Sequence, residues 1–296
     1  MRLSHPIFQG PLEPSIELVT VDTPEGYRRY ADGVDLPDTL PGWKVHEGEF
    51  PDVDVGLVSN PYGFEDSPDA EWIASGVNAK GPRSMALGRQ GNLFHWGFYG
   101  DPTRLTPSAQ RVFLNTIVYM QGFEGVTPLV GDEAPAREYV RQYIHRVRLA
   151  QAEGVELKNY YLSRFPEEVR EATGMDPDRL LAYYEENLEF LRADDRGVLG
   201  VDDGLRRLGI SNRRREFLDA LVARLSADPD DVLALSLARR YTGRKAGGSA
   251  ESFLAWEREN RPYLFFSDLG GYRWFVDEHA KAAAARPERT GSAREF

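Results

Sequence analysis

The residues best equipped for chemistry lie close together in the first third of the chain. Gly63-Phe64-Glu65-Asp66-Ser67-Pro68-Asp69-Ala70-Glu71-Trp72 carries four carboxylates, and Gly76-Val77-Asn78-Ala79-Lys80-Gly81-Pro82-Arg83 adds an amide and two cations. Loops of this composition at strand ends hold ligand-binding groups. Their oxygens alone can also hold Ca²⁺ or Mg²⁺. Glu71, Asn78, Lys80 and Arg83 are therefore candidate ligand-binding residues. Turn chemistry accounts for the same residues. Asp66 or Ser67 can cap a short helix with Pro68, Asp69 and Glu71 in its first turn, where acids are favoured. Asn78 and Gly81 suit left-handed turn positions.

Two more candidates follow. Arg89 can take an anion and His95 can act as acid or base, in or beside the segment Gly88-Arg89-Gln90-Gly91-Asn92. Strand alternation sets His95 opposite Phe94 and Trp96, so it is expected to point away from the core those two build. The five histidines, His5, His46, His95, His145 and His279, lack metal-ligand spacing. No structural transition metal and no cofactor is expected. There is no Walker loop, no Gly-x-Gly-x-x-Gly, no His-Glu-x-x-His, no calcium-loop spacing and no Gly-x-Ser-x-Gly elbow. No catalytic residue is assigned.

The elements that must position these residues fall into two groups. The first ~125 residues are rich in Gly and Pro and read as strands and loops. Ile16–Val21 and Val53–Val58 have strand composition, and Met85–Leu87 with Leu93–Phe98 reads as a hairpin around Gly88-Arg89-Gln90-Gly91-Asn92. Thr106-Pro107 opens a helix through Gln121 whose apolar residues surround it, the pattern of a buried helix. Val126–Glu133 reads as a linker. From Ala134 to Arg261 apolar residues recur at spacings of three and four, with helix starts signalled at Asp176-Pro177 and Asp228-Pro229. Leu264–Phe266 and Tyr272–Val276 flank Gly270-Gly271 as an aromatic hairpin, expected to be buried as a clasp. The expected class is α+β or α/β: a β-rich domain over 1–125, a mainly helical domain over 134–280 ending in a hairpin, and a disordered tail over 281–296.

Composition narrows the function. The 296 residues carry 36 Lys and Arg against 47 Asp and Glu, a net charge of −11. Gripping nucleic-acid phosphates is therefore not the expected role. Arg213-Arg214-Arg215, Arg239-Arg240 and Arg244-Lys245 read as helix ends or solvated faces. The absence of cysteine excludes disulfides, thiolate zinc sites, iron–sulfur clusters and a cysteine nucleophile. No apolar run reaches the ~18 residues of a membrane-spanning helix, and the N-terminus lacks the apolar segment of a signal peptide. A soluble, cytoplasmic protein without a nucleic-acid or membrane partner is expected, binding a small molecule or a protein, with homo-oligomerisation open.

Residues ~1–123 also resemble a family. Ser4-His5-Pro6-Ile7-Phe8, the hairpin Gly88–Phe98, the helix Thr106–Gln121 with Asn115, and Gly63–Glu71 through Lys80-Gly81-Pro82 resemble trehalose-utilisation (ThuA-like) proteins, whose fold is similar to class I glutamine amidotransferases. The resemblance implies the C-terminal half of such a domain, the half carrying the nucleophile being missing. With no cysteine and no His-x-Glu pair, it implies no amidotransferase activity. It points to a non-catalytic binding or accessory module in carbohydrate-related metabolism. Two alternatives stand beside it: a hydrolase with its site in the 65–89 loops, and an assembly protein whose helical half binds a partner.

Overall fold

The computed structural model describes residues 1–48, 57–78, 81–98, 101–131, 134–246 and 248–285. Residues 53–56 of the expected strand Val53–Val58 lie outside them, as does Lys80. In the first half, β1 (Leu18–Asp22) pairs antiparallel with β2 (Thr39–Trp43). A second sheet has the order β3 (Ala70–Ser75), β4 (Met85–Gln90), β5 (Leu93–Trp96), again antiparallel. All strand pairs among the described residues are antiparallel, so the class is α+β. The β4–β5 turn needs its glycine. Gly91 has φ +53°, and a Cβ there would come within 2.6 Å of the Val126 carbonyl oxygen.

Helix α1 (Pro107–Met120) begins where the sequence places it, with the Thr106 hydroxyl accepting from the Ala109 N–H. Val112 packs with Ile7, Phe8, Ile73 and Leu87 in the core of this half. The expectation that α1 is buried all round is corrected. Leu114, Ile117 and Val118 are half exposed, because the helix meets the sheet and the N-terminal segment on one side only. The polar stretch is also corrected. Glu71 lies not in the first turn of a helix but on β3, after a single 3₁₀ turn at Phe64–Asp66.

The second half contains α2 (Val140–Glu153), α3 (Asn159–Leu162), α4 (Glu167–Thr173) and α5 (Pro177–Asn187). A short hairpin of β6 (Leu191–Ala193) and β7 (Leu199–Val201) follows, then α6 (Asp203–Leu208), α7 (Arg215–Ala227), α8 (Val232–Ala246) and α9 (Ala250–Asn260). Asp176 caps α5 as its Asp-Pro pair signals, accepting from Asp178 and Arg179 N–H. Asp228-Pro229 does not open a helix. It forms a turn after α7, and Asp231 accepts the Ala234 N–H at the start of α8 instead.

The aromatic hairpin, β8 (Leu264–Ser267) and β9 (Arg273–Val276), packs its Leu264, Tyr272 and Trp274 into the same core as Val140, Tyr143, Phe217 and Phe253. Tyr272 donates to the Pro135 carbonyl at 2.6 Å and Trp274 Nε1 to that of Asn212 at 2.7 Å, so both polar tips are satisfied. Phe265, Phe266 and Phe275 are half-buried rather than buried. The last helix, α10 (Glu278–Ala284), runs past the expected start of the tail at 281. Among the described residues, no helix is long and apolar enough to cross a membrane.

Candidate functional site

A buried ion pair of the second half stands where the two halves meet. Arg137 precedes α2, and its side chain is fully enclosed. Its Nε and Nη2 donate to both carboxylate oxygens of Asp268 at 2.8–3.1 Å, and Nη2 also donates to Asn212 Oδ1. Asp268 sits in the tight turn of the aromatic hairpin. Its backbone N–H donates to Asp66 Oδ2 at 3.1 Å, linking the hairpin to the 3₁₀ turn before β3. Gly63 makes this approach possible. It has φ +73°, and a Cβ would lie 3.1 Å from both Ala136 Cβ and Leu269 Cγ. Farther along the junction, Gln142 of α2 donates to Asp32 and to the Tyr62 hydroxyl, and accepts the Ala31 N–H.

Above the ion pair lies a cleft of about 480 Å³. Tyr62, Trp72 and Phe266 supply aromatic wall, Glu65, Asp66, Glu138 and Asp268 supply carboxylates, and Arg83 and Arg213 supply cations. Most of these charges are matched to each other. Arg213 lies 2.8 Å from Glu138 and 3.5 Å from Asp268, and Glu65 lies 2.6 Å from Arg2. Burial pushes the Glu138 carboxyl up, but the Arg213 guanidinium more than offsets this and holds it below the usual range. Asp66 has no such cation in contact. Protein crowding around it desolvates the carboxyl, and its pKa is pushed up to about 6 despite the Asp268 N–H, with the negative charges of Asp268 and Glu138 adding to the rise.

Arg83 is only loosely matched. Its guanidinium lies 4.9 Å from the Tyr62 ring centroid and 5.4 Å from that of Trp72. The nearest carboxylate, Asp32, is 4.0 Å from its Nε. That carboxylate already accepts from the Tyr62 hydroxyl and from Gln142. The indole N–H of Trp72 is enclosed without an acceptor.

Of the candidate ligand-binding residues that are described, Arg83 lines this cleft, together with Gly63, Glu65, Asp66 and Trp72 of the carboxylate-rich stretch. Glu71 and Arg89 are brought together elsewhere, as cross-strand partners on β3 and β4 with Arg89 Nε 3.0 Å from Glu71 Oε2. His5 and Tyr119 meet the same oxygen at 3.3 and 2.7 Å. His5 Nδ1 accepts the Ile7 N–H, which leaves the Nε2 proton for Glu71. Burial raises the Glu71 carboxyl, but hydrogen bonds from His5, Arg89 and Tyr119 outweigh it and hold the group well below the usual carboxylate range. Arg89 also donates to the Gly91 carbonyl and stacks 3.9 Å from the Phe123 centroid. This constellation resembles a catalytic cluster, yet its groups bind one another. It pins the N-terminal segment and the end of α1 to the sheet.

Asn78 is buried elsewhere, its side-chain amide donating to the Gly76 and Gly81 carbonyls and its backbone N–H donating to the Tyr27 hydroxyl oxygen. His95 is half-buried. Its Nε2 is enclosed, and burial lowers the ring pKa. Gly97 leaves room for the ring, since a Cβ there would lie 2.7 Å from that nitrogen. Asp69, beside Glu71, binds the Ser67 hydroxyl and the Leu129 N–H. Among the described residues no group of three or more acidic or histidine side chains is placed to hold a metal ion.

The sequence reading missed Glu138, Arg213, Phe266 and Asp268 as site residues. They come from the helical half and the aromatic hairpin, and only the fold brings them to Asp66. No protein-family model matches the sequence, and no curated protein or solved structure matches it.

Proposed function

We propose that the chain is a non-catalytic binding module whose cleft between the two halves takes a small polar ligand. One observation carries the reading. In a cleft of suitable size, three aromatic side chains surround a carboxyl with no cation in contact and a guanidinium whose nearest carboxylate, Asp32, stands 4.0 Å away. Aromatic faces receive the apolar C–H surface of a ring, and charged groups at the rim take hydroxyls. The carbohydrate class follows from the resemblance of residues ~1–123 to trehalose-utilisation proteins. Isothermal titration of the full chain with neutral and acidic mono- and disaccharides tests this. Saturable heat that Asp66→Ala weakens at least about tenfold supports the reading. No heat from any sugar, or heat indifferent to Asp66→Ala, overturns it.

One observation favours a hydrolase. Asp66 is pushed up while Glu138 is held down, and acid–base pairs use such a split. Slow disappearance of a bound disaccharide, lost in Asp66→Asn, would select this alternative.

A further inference from the structure

We infer that the ligand of the cleft carries a carboxylate or phosphate group, and that this group docks on the edge of Arg83. The inference rests on the binding reading above and names the chemistry of what is bound. Its basis is which charges at the cleft already have partners. Arg213 is held by Glu138 and Asp268, Arg137 by Asp268, and Arg2 by Glu65. Arg83 alone among these cations has no carboxylate within hydrogen-bond reach, its nearest being Asp32 at 4.0 Å.

The setting of Arg83 fixes what it can accept. Tyr62 and Trp72 lie against the guanidinium, and the side chain is about half exposed. A guanidinium stacked on rings keeps its N–H donors in the plane, at the edge. That edge matches the two oxygens of a carboxylate or phosphate in a bidentate pair. Trp72 lines the same cleft, so a ligand there contacts its ring, while its indole N–H is enclosed with no acceptor among the described residues. On the other side stands Asp66, whose protonated carboxyl donates and whose ionised form accepts, as suits a ligand that also bears hydroxyls.

The test is calorimetric titration of the full chain with three probes at one ionic strength: glucose, glucuronate and glucose 6-phosphate. At least one acid is expected to bind about tenfold tighter than glucose, the scale of one charge-assisted pair. Which acid wins distinguishes a carboxylate from a phosphate ligand. In Arg83→Gln the acid's advantage over glucose should shrink to about twofold or less, and Arg83→Lys should retain part of it. Arg83 is solvent-exposed, and an unchanged circular-dichroism melt shows that the variants fold. Equal binding of all three probes by the native chain overturns the inference and leaves the binding reading standing. An acid preference that survives Arg83→Gln also overturns it. No binding of any probe overturns both.

Discussion

The backbone N–H of Asp268 donates to Asp66 Oδ2 across 3.1 Å, joining residues 202 positions apart. Through this bond the hairpin at one end of the chain closes on the loop that precedes β3. Because Asp268 also holds Arg137, the floor of the cleft and the joint between the halves are one structure. Stability and binding are coupled there.

Breaking the buried pair should therefore cost heavily. Removing one partner leaves the other charge enclosed without compensation. Asp268→Asn or Arg137→Met is expected to lower unfolding free energy by about 3–5 kcal/mol. Urea denaturation measures it. A loss below about 1 kcal/mol, the scale of an exposed pair, would contradict the assignment.

Glu71 makes an acid-sensitive contribution. Its folded pKa is depressed below the ordinary 4.5, so its stabilisation is present above that value and fades as pH falls through it. Glu71→Gln should lose stability at pH 7 and flatten the decline between pH 5 and 3. Equal slopes in the native chain and the variant would refute the network.

Asp66 has the opposite sign. Its folded pKa, about 6 against an ordinary 3.8, means the folded state holds the proton more tightly. Its share of stability is full below pH 4 and declines as pH rises toward 6. Binding of an acidic ligand should tighten over the same descent in pH, because protonation removes a like charge. Glu138, held ionised by Arg213, and Asp268, paired with Arg137, also face Asp66. Titrations at pH 5 and 8 check this, and Asp66→Asn should abolish the difference.

The terminal hairpin should be indispensable. Tyr272 and Trp274 fill the helical core, and burying a large aromatic is worth roughly 1.5–3 kcal/mol. A chain ending at Arg261 is expected to aggregate. A chain ending at Ala285 should melt like the full protein. A monomeric, cooperatively melting product from the shorter chain would contradict the clasp.

What was legible in the sequence was local. Thr106-Pro107 and Asp176-Pro177 mark helix starts because capping is decided within four residues, and the two glycines of Gly88–Asn92 mark a hairpin for the same reason, although β4 runs on to Gln90 and only Gly91-Asn92 turns. Asp228-Pro229 misleads because Asp231, three residues on, supplies the competing cap. The Arg213 run reads as a solvated helix end, yet Arg213 is held between Glu138 and Asp268. The cleft was not legible. Its groups come from Tyr62–Arg83, Glu138, Arg213 and Phe266–Asp268, and no periodicity links residues so far apart.

The most direct test of the account is the indole N–H resonance of Trp72 in ¹⁵N–¹H spectra, assigned by its absence in Trp72→Phe. Titration with the tightest-binding sugar acid should shift that resonance saturably, at the same dissociation constant that calorimetry gives. A measurable heat of binding with the Trp72 signal unmoved would place the ligand elsewhere and contradict the cleft as the site.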